Sequence, residues 1–160
     1  MRPVRQFRAI EVLAASAALL LYGCGTTHEA ISASAKTAAA VVLAHGYTAE
    51  DPAQYHPGQT LEVLIGTLSY STDRLRQKAF FFIGSRFAGT DTLGPSVLVR
   101  IVSQSNDAVV LAYPHYGPSD NLFYPRYGYE RVEYKLEEGR IVRLGALPPT
   151  YVGQPSKPAI

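Results

Sequence analysis

The stretch Arg131-Val132-Glu133-Tyr134-Lys135-Leu136-Glu137-Glu138-Gly139-Arg140-Ile141-Val142-Arg143-Leu144 decides the fold class. Val132, Tyr134 and Leu136 alternate with Arg131, Glu133 and Lys135, a period of two that sets the apolar groups on one face of a strand and the charges on the other. Glu137-Glu138-Gly139 then turns the chain into Arg140–Leu144. Strands joined by so short a turn run antiparallel, and the charged face leaves at least part of the sheet open to water.

Working back toward the N-terminus, the same period recurs. Val97–Ser103 and Ala108–Tyr113 form a pair around Ser105-Asn106-Asp107. Lys78–Ile83 contains Phe80-Phe81-Phe82, and the following Gly84-Ser85 suits a two-residue type II′ hairpin that sets Phe82 opposite Phe87. Leu61–Ser71 is a further aliphatic strand. Tyr47–Thr60, with Asp51-Pro52 and His56-Pro57-Gly58, is expected to be loop. Before it, Ile31, Ala35, Ala38 and Val42 share one stripe at helical spacing, with Gly46 where a C-cap glycine belongs. The expected architecture is α+β: one N-terminal helix, 31–44, packed on an antiparallel meander sheet of about five to seven strands.

The first residues are a targeting segment. Arg2, Arg5 and Arg8 precede an apolar run from Ala9 to Leu21, the layout of a secretory signal. The run is shorter than the roughly 18 apolar residues that a spanning helix needs. Leu21-Tyr22-Gly23-Cys24 has the form of a lipobox, in which small residues expose the bond before a cysteine that takes a diacylglyceryl group. Acyl chains contribute about 0.8 kcal/mol per buried CH2, so two or three hold a protein on a membrane. The alternative is an ordinary signal peptide with an incidental cysteine. Residues 1–23 are thus expected to be a lipoprotein signal peptide, 24–36 a flexible tether, 37–149 one domain and 150–160 a disordered tail. The product is expected to be exported and anchored through the lipid on Cys24, on the outer face of the cell membrane or on the outer membrane.

The chain carries 15 basic and 13 acidic side chains, but Arg2, Arg5, Arg8 and Glu11 all leave with the signal, and the remainder balances. Nucleic-acid binding needs a basic patch to displace condensed counterions. No Lys/Arg cluster is present, which excludes that class of partner.

From Ala44 to Pro149 the chain resembles the LppP/LprE lipoproteins of the bacterial cell envelope. The resemblance is carried by Ala-His-Gly-Tyr (44–47), Leu-Glu-Val-Leu-Ile-Gly-Thr (61–67), Gln-Lys-Ala-Phe-Phe-Phe (77–82) and Gly-Thr-Asp-Thr (89–92). It continues through Val-Ser-Gln-Ser-Asn-Asp-Ala-Val-Val-Leu-Ala-Tyr (102–113) and Gly-Arg-Ile-Val-Arg-Leu (139–144) to Pro148-Pro149. The resemblance implies an exported, lipid-anchored domain and brings no established chemistry with it. Where some relatives place a Cys pair before a Pro, this chain has Leu122-Phe123-Tyr124-Pro125, so no cross-link or metal role carries over to that loop.

Candidate chemistry is sparse. His45-Gly46 resembles the His-Gly of a hydrolase oxyanion loop, but the Gly-x-Ser-x-Gly elbow that such enzymes need is missing, and Gly46 as a helix cap explains the dipeptide. His45, His56, His115, Asp51 and Asp120 lack the spacings of a zinc site. No metal, cofactor or catalytic set is therefore expected. Asp91, in Gly-Thr-Asp-Thr, has a local role available as an Asx turn, or a functional one toward a cation or a ligand hydroxyl.

Five of the 11 tyrosines fall between Tyr113 and Tyr129, a connection long enough to be functional. Two readings stand: these rings fold back as a lid over the sheet, or they form a binding surface. On the second reading the ligand-binding residues are Tyr113, His115, Tyr116, Tyr124, Arg126, Tyr127 and Asp91, and the partner is an envelope protein or a glycan. The expected function is a non-enzymatic interaction module of the envelope. The alternative is a structural or assembly factor of the envelope and, after it, a metal-dependent or hydrolytic enzyme.

Overall fold

The computed structural model describes residues 33–149 and 159–160. The signal peptide, the lipobox with Cys24 and most of the tether lie outside the described residues, as does most of the 150–160 tail. Helix α1 spans Ala33–Ala44 and ends at Gly46, whose φ of 82° and amide bond to Leu43 O are those of a left-handed cap. Nine antiparallel strands follow: β1 (Tyr47–Ala49), β2 (Leu61–Leu68), β3 (Arg76–Ile83), β4 (Arg86–Thr90), β5 (Ser96–Val97), β6 (Arg100–Gln104), β7 (Ala108–Pro114), β8 (Tyr129–Glu137) and β9 (Arg140–Leu144). The fold is α+β with the helix first, as expected.

The strands number more than seven and divide into two sheets. One has the order β1-β2-β3-β4 with β5 also on β3; the other runs β6-β7-β8-β9. The division falls at Leu98, whose φ of 50° turns the chain out of the first sheet, so that Val97 pairs with Arg76 while Arg100 pairs with Ala112. β1 lies inside the segment expected to be loop, since three residues are too few to display a period.

The first sheet is the middle of three layers. Leu61, Val63 and Ile65 of β2 with Ala79 and Phe81 of β3 pack against Val109, Leu111, Tyr113, Val132 and Tyr134 of the second sheet. The opposite faces of the same strands, Leu64, Phe80 and Phe82, receive Ala35, Ala38 and Val42 of α1 together with Tyr47 and Tyr55. Being buried on both sides explains why β2 and β3 carry nearly continuous apolar runs. Phe80, Phe81 and Phe82 are wholly buried, and each such ring contributes about 1.5–3 kcal/mol by leaving water. Gly66 is what lets the helix approach: a Cβ there would stand 2.7 Å from Val42 Cγ1 and 2.8 Å from Phe80 Cε2.

Phe82 faces Phe87 across the β3–β4 hairpin, as the spacing predicts. The turn itself is type I′ and not II′, because Ser85 (φ 66°) as well as Gly84 (φ 52°) takes positive φ. Of the expected disordered tail, Ala159 donates its amide to Asp91 O at 3.1 Å, and Ile160 packs on the inter-sheet core.

Candidate functional site

Asp91 lies just beyond β4 and is completely buried. Its Oδ1 accepts the Ala79 amide of β3 at 3.0 Å and, more weakly, Thr92 Oγ1 at 3.3 Å, so it extends the strand pairing in place of forming the expected Asx turn. Oδ2 accepts the Tyr113 hydroxyl from the second sheet at 2.8 Å, and that hydroxyl lies 2.9 Å from the hydroxyl of Tyr134. Burial pushes the Asp91 carboxyl up to about 6, while the bonds from Tyr113 and Ala79 hold it from rising further. Burial, then the charge of Asp91, raises Tyr113 well above its ordinary value.

The connection His115–Gly128 is a compact loop with its ends tied together. His115 N donates to Gly128 O at 2.8 Å, and Tyr127 N donates to His115 O at 3.2 Å. Inside it, the Asp120 carboxylate, only 3% exposed, accepts the amides of Gly117 (2.7 Å) and Arg126 (2.6 Å) through Oδ2 and pairs with Arg126 Nε through Oδ1 at 3.3 Å. Those two amide bonds hold the Asp120 carboxyl below its ordinary value. Tyr116 is buried against Leu75 and Val97 and donates its hydroxyl to Leu122 O. Burial pushes that hydroxyl up to about 12.

A loop fixed in this way sets three rings in solvent: Phe123, Tyr124 and Tyr127, exposed by 60, 78 and 61%. The His115 ring lies 5.2 Å from that of Tyr127, and Arg100 of β6 sits 4.6 Å over the ring of Tyr129 where the loop rejoins β8.

The residues expected to bind a ligand therefore divide. Tyr124, Tyr127, His115 and Arg126 belong to the loop surface. Asp91, Tyr113 and Tyr116 are turned inward, with their polar atoms engaged, and they are not available to a ligand arriving from solvent. Within the aromatic segment Tyr113 and Tyr116 supply core, while Tyr124 and Tyr127 are exposed. His45 is elsewhere, at the end of α1, with its ring 4.6 Å from that of Phe87. The roles of Asp120 as clamp and Phe123 as exposed ring were not evident in the sequence. The available signal was an Asp followed six residues later by an Arg inside a Pro-bounded loop.

Taken together, the helix, the antiparallel sheets and the clamped loop define a small α+β domain with three exposed rings on one fixed connection. The chain matches the family model of the LppP/LprE lipoproteins over residues 53–139 and belongs to that family, which makes it a membrane-anchored lipoprotein of the cell envelope. No curated protein and no solved structure matches it.

Proposed function

We propose that the domain is a non-enzymatic module that holds an envelope protein or glycan on the Phe123–Tyr124–Tyr127 surface and the adjoining edge of β6, while the lipid on Cys24 ties it to the outer face of a membrane. The observation that carries this reading is the exposure of three rings on a loop whose backbone is already fixed by Asp120 and Tyr116. Tyrosine and phenylalanine offer large contact area at low entropic cost, and a loop ordered in advance loses little freedom on binding. The non-catalytic part of the reading is supported by dispersal: His45 stacks on Phe87, His115 on Tyr127, and Arg126 is paired with Asp120.

The test is cross-linking in cells with the full chain carrying Phe123→Ser, Tyr124→Ser and Tyr127→Ser together. Loss of a dominant cross-linked partner with the fold retained is expected; unchanged partners would overturn the proposal. Palmitate labelling of the parent chain and of Cys24→Ala checks the anchor, with label expected only on the parent.

A further inference from the structure

A second surface of the first sheet carries a mostly polar groove. The edge strand β1, the end of β2 and the connection that follows enclose a groove of about 510 Å³, lined by Thr48, Glu50, Thr67, Ser69, Ser71 and Arg74. Glu50 is held from behind. Its Oε1 accepts Thr67 Oγ1 at 2.6 Å and Gln77 Nε2 at 2.5 Å, both donors being buried, and its Oε2 takes no hydrogen bond among the described residues. Gln77 gives its amide to Glu50, and its own Oε1 is buried without a hydrogen-bond partner among the described residues.

Arg74 faces the same groove from a strained position. Its φ of 54° is left-handed, and the turn around it is fixed by Asp73, which accepts the Leu75 amide at 3.0 Å and the Ser71 hydroxyl. The guanidinium makes no hydrogen bond or ion pair among the described residues. The groove therefore offers a free carboxylate oxygen, an unpaired guanidinium fork and four hydroxyls: those of Thr67 and Ser71 already donate to Glu50 and Asp73 and keep only acceptor capacity, while those of Thr48 and Ser69 share one bond. Tyr70, exposed, belongs to the same connection.

We propose that this groove binds a short saccharide bearing a carboxylate. The guanidinium takes the carboxylate through two parallel bonds, and Glu50 Oε2 accepts from a sugar hydroxyl. The side-chain hydroxyls exchange their mutual contacts, such as Thr48 Oγ1 to Ser69 Oγ at 3.0 Å, for contacts to the ligand. The volume suits a disaccharide. A zwitterionic peptide would satisfy the two charges but leave the hydroxyls unmatched, so the sugar acid is the better fit. The inference is independent of the aromatic loop.

The test is amide chemical-shift titration of the full chain in detergent with digalacturonic acid, its neutral counterpart α-1,4-galactobiose, and glycylglycine. Saturable shifts at residues 47–50 and 67–75 are expected, with digalacturonic acid bound about tenfold more tightly than galactobiose because the carboxylate–guanidinium pair is available only to the acid. Arg74→Gln, in an exposed turn, should erase that preference, and Glu50→Gln should weaken both sugars. No saturable shift with either sugar, affinities unaltered by both substitutions, or glycylglycine bound more tightly than digalacturonic acid would overturn the proposal.

Discussion

The hydroxyl of Tyr113 donates to Asp91 Oδ2 at 2.8 Å across the interface of the two sheets, inside a mainly apolar core. Replacing Tyr113 by Phe leaves a buried carboxylate oxygen without its donor and takes from Tyr134 the hydroxyl beside it. A loss of about 1–3 kcal/mol follows, to be read as a lower urea midpoint with an unchanged slope.

Asp91 also gives stability an unusual pH dependence. Burial raises its pKa from 3.8 to about 6, so the folded state holds the proton more tightly than the unfolded chain does. The contribution of Asp91 to stability is therefore greatest below the unfolded value and falls as pH rises from about 4 to about 6, by about 3 kcal/mol. Asp73, lowered first by the Ser71 hydroxyl, and Asp120, lowered first by the Gly117 amide, act with the opposite sign; their contributions are present above the ordinary carboxylate value and are lost as pH falls through their folded values. Urea unfolding across this range should show the decline above about pH 4 in the parent and its absence in Asp91→Asn.

Gly66→Ala should separate the helix from the sheet. The added methyl would stand 2.7 Å from Val42 Cγ1, 2.8 Å from Phe80 Cε2 and 3.0 Å from Tyr47 Cβ, with no flexible side-chain end to give way. Overpacking of this kind costs about 1–3 kcal/mol, visible as a lower thermal midpoint and faster amide exchange in residues 35–42.

Asp120→Ala should release the aromatic loop without unfolding the domain. The amides of Gly117 and Arg126 lose their acceptor, and hydrogen exchange at those two positions should rise while exchange in β7 and β8 stays as before.

Glu62 is wholly buried on β2, and neither carboxylate oxygen has a hydrogen-bond partner among the described residues. A buried carboxyl group without hydrogen-bond partners is costly. Glu62→Gln should raise the urea midpoint, by about 1 kcal/mol in stability.

Much of this fold was legible because the strands and the charged outer face of β8 obey local rules. The Phe82–Phe87 register followed from a two-residue turn, and the Gly46 cap from a stripe of Ala and Val. What stayed hidden depends on contacts distant in sequence. Nothing near Leu98 announces that the chain changes sheets there, and Glu62, Asp91 and Gln77 look like surface residues until the layers close over them. The division of the tyrosines was equally out of reach: Tyr113 and Tyr124 are alike in composition and neighbourhood, and only the inter-sheet core and the Asp120 clamp decide which ring turns inward.

Leu75, at the end of the connection that carries Arg74, shares a small apolar cluster with Tyr116, which supports the aromatic loop. Truncating Leu75 should therefore loosen both segments together, the connection that carries Arg74 and the loop that rests on Tyr116, which hydrogen exchange would register as a parallel loss of protection.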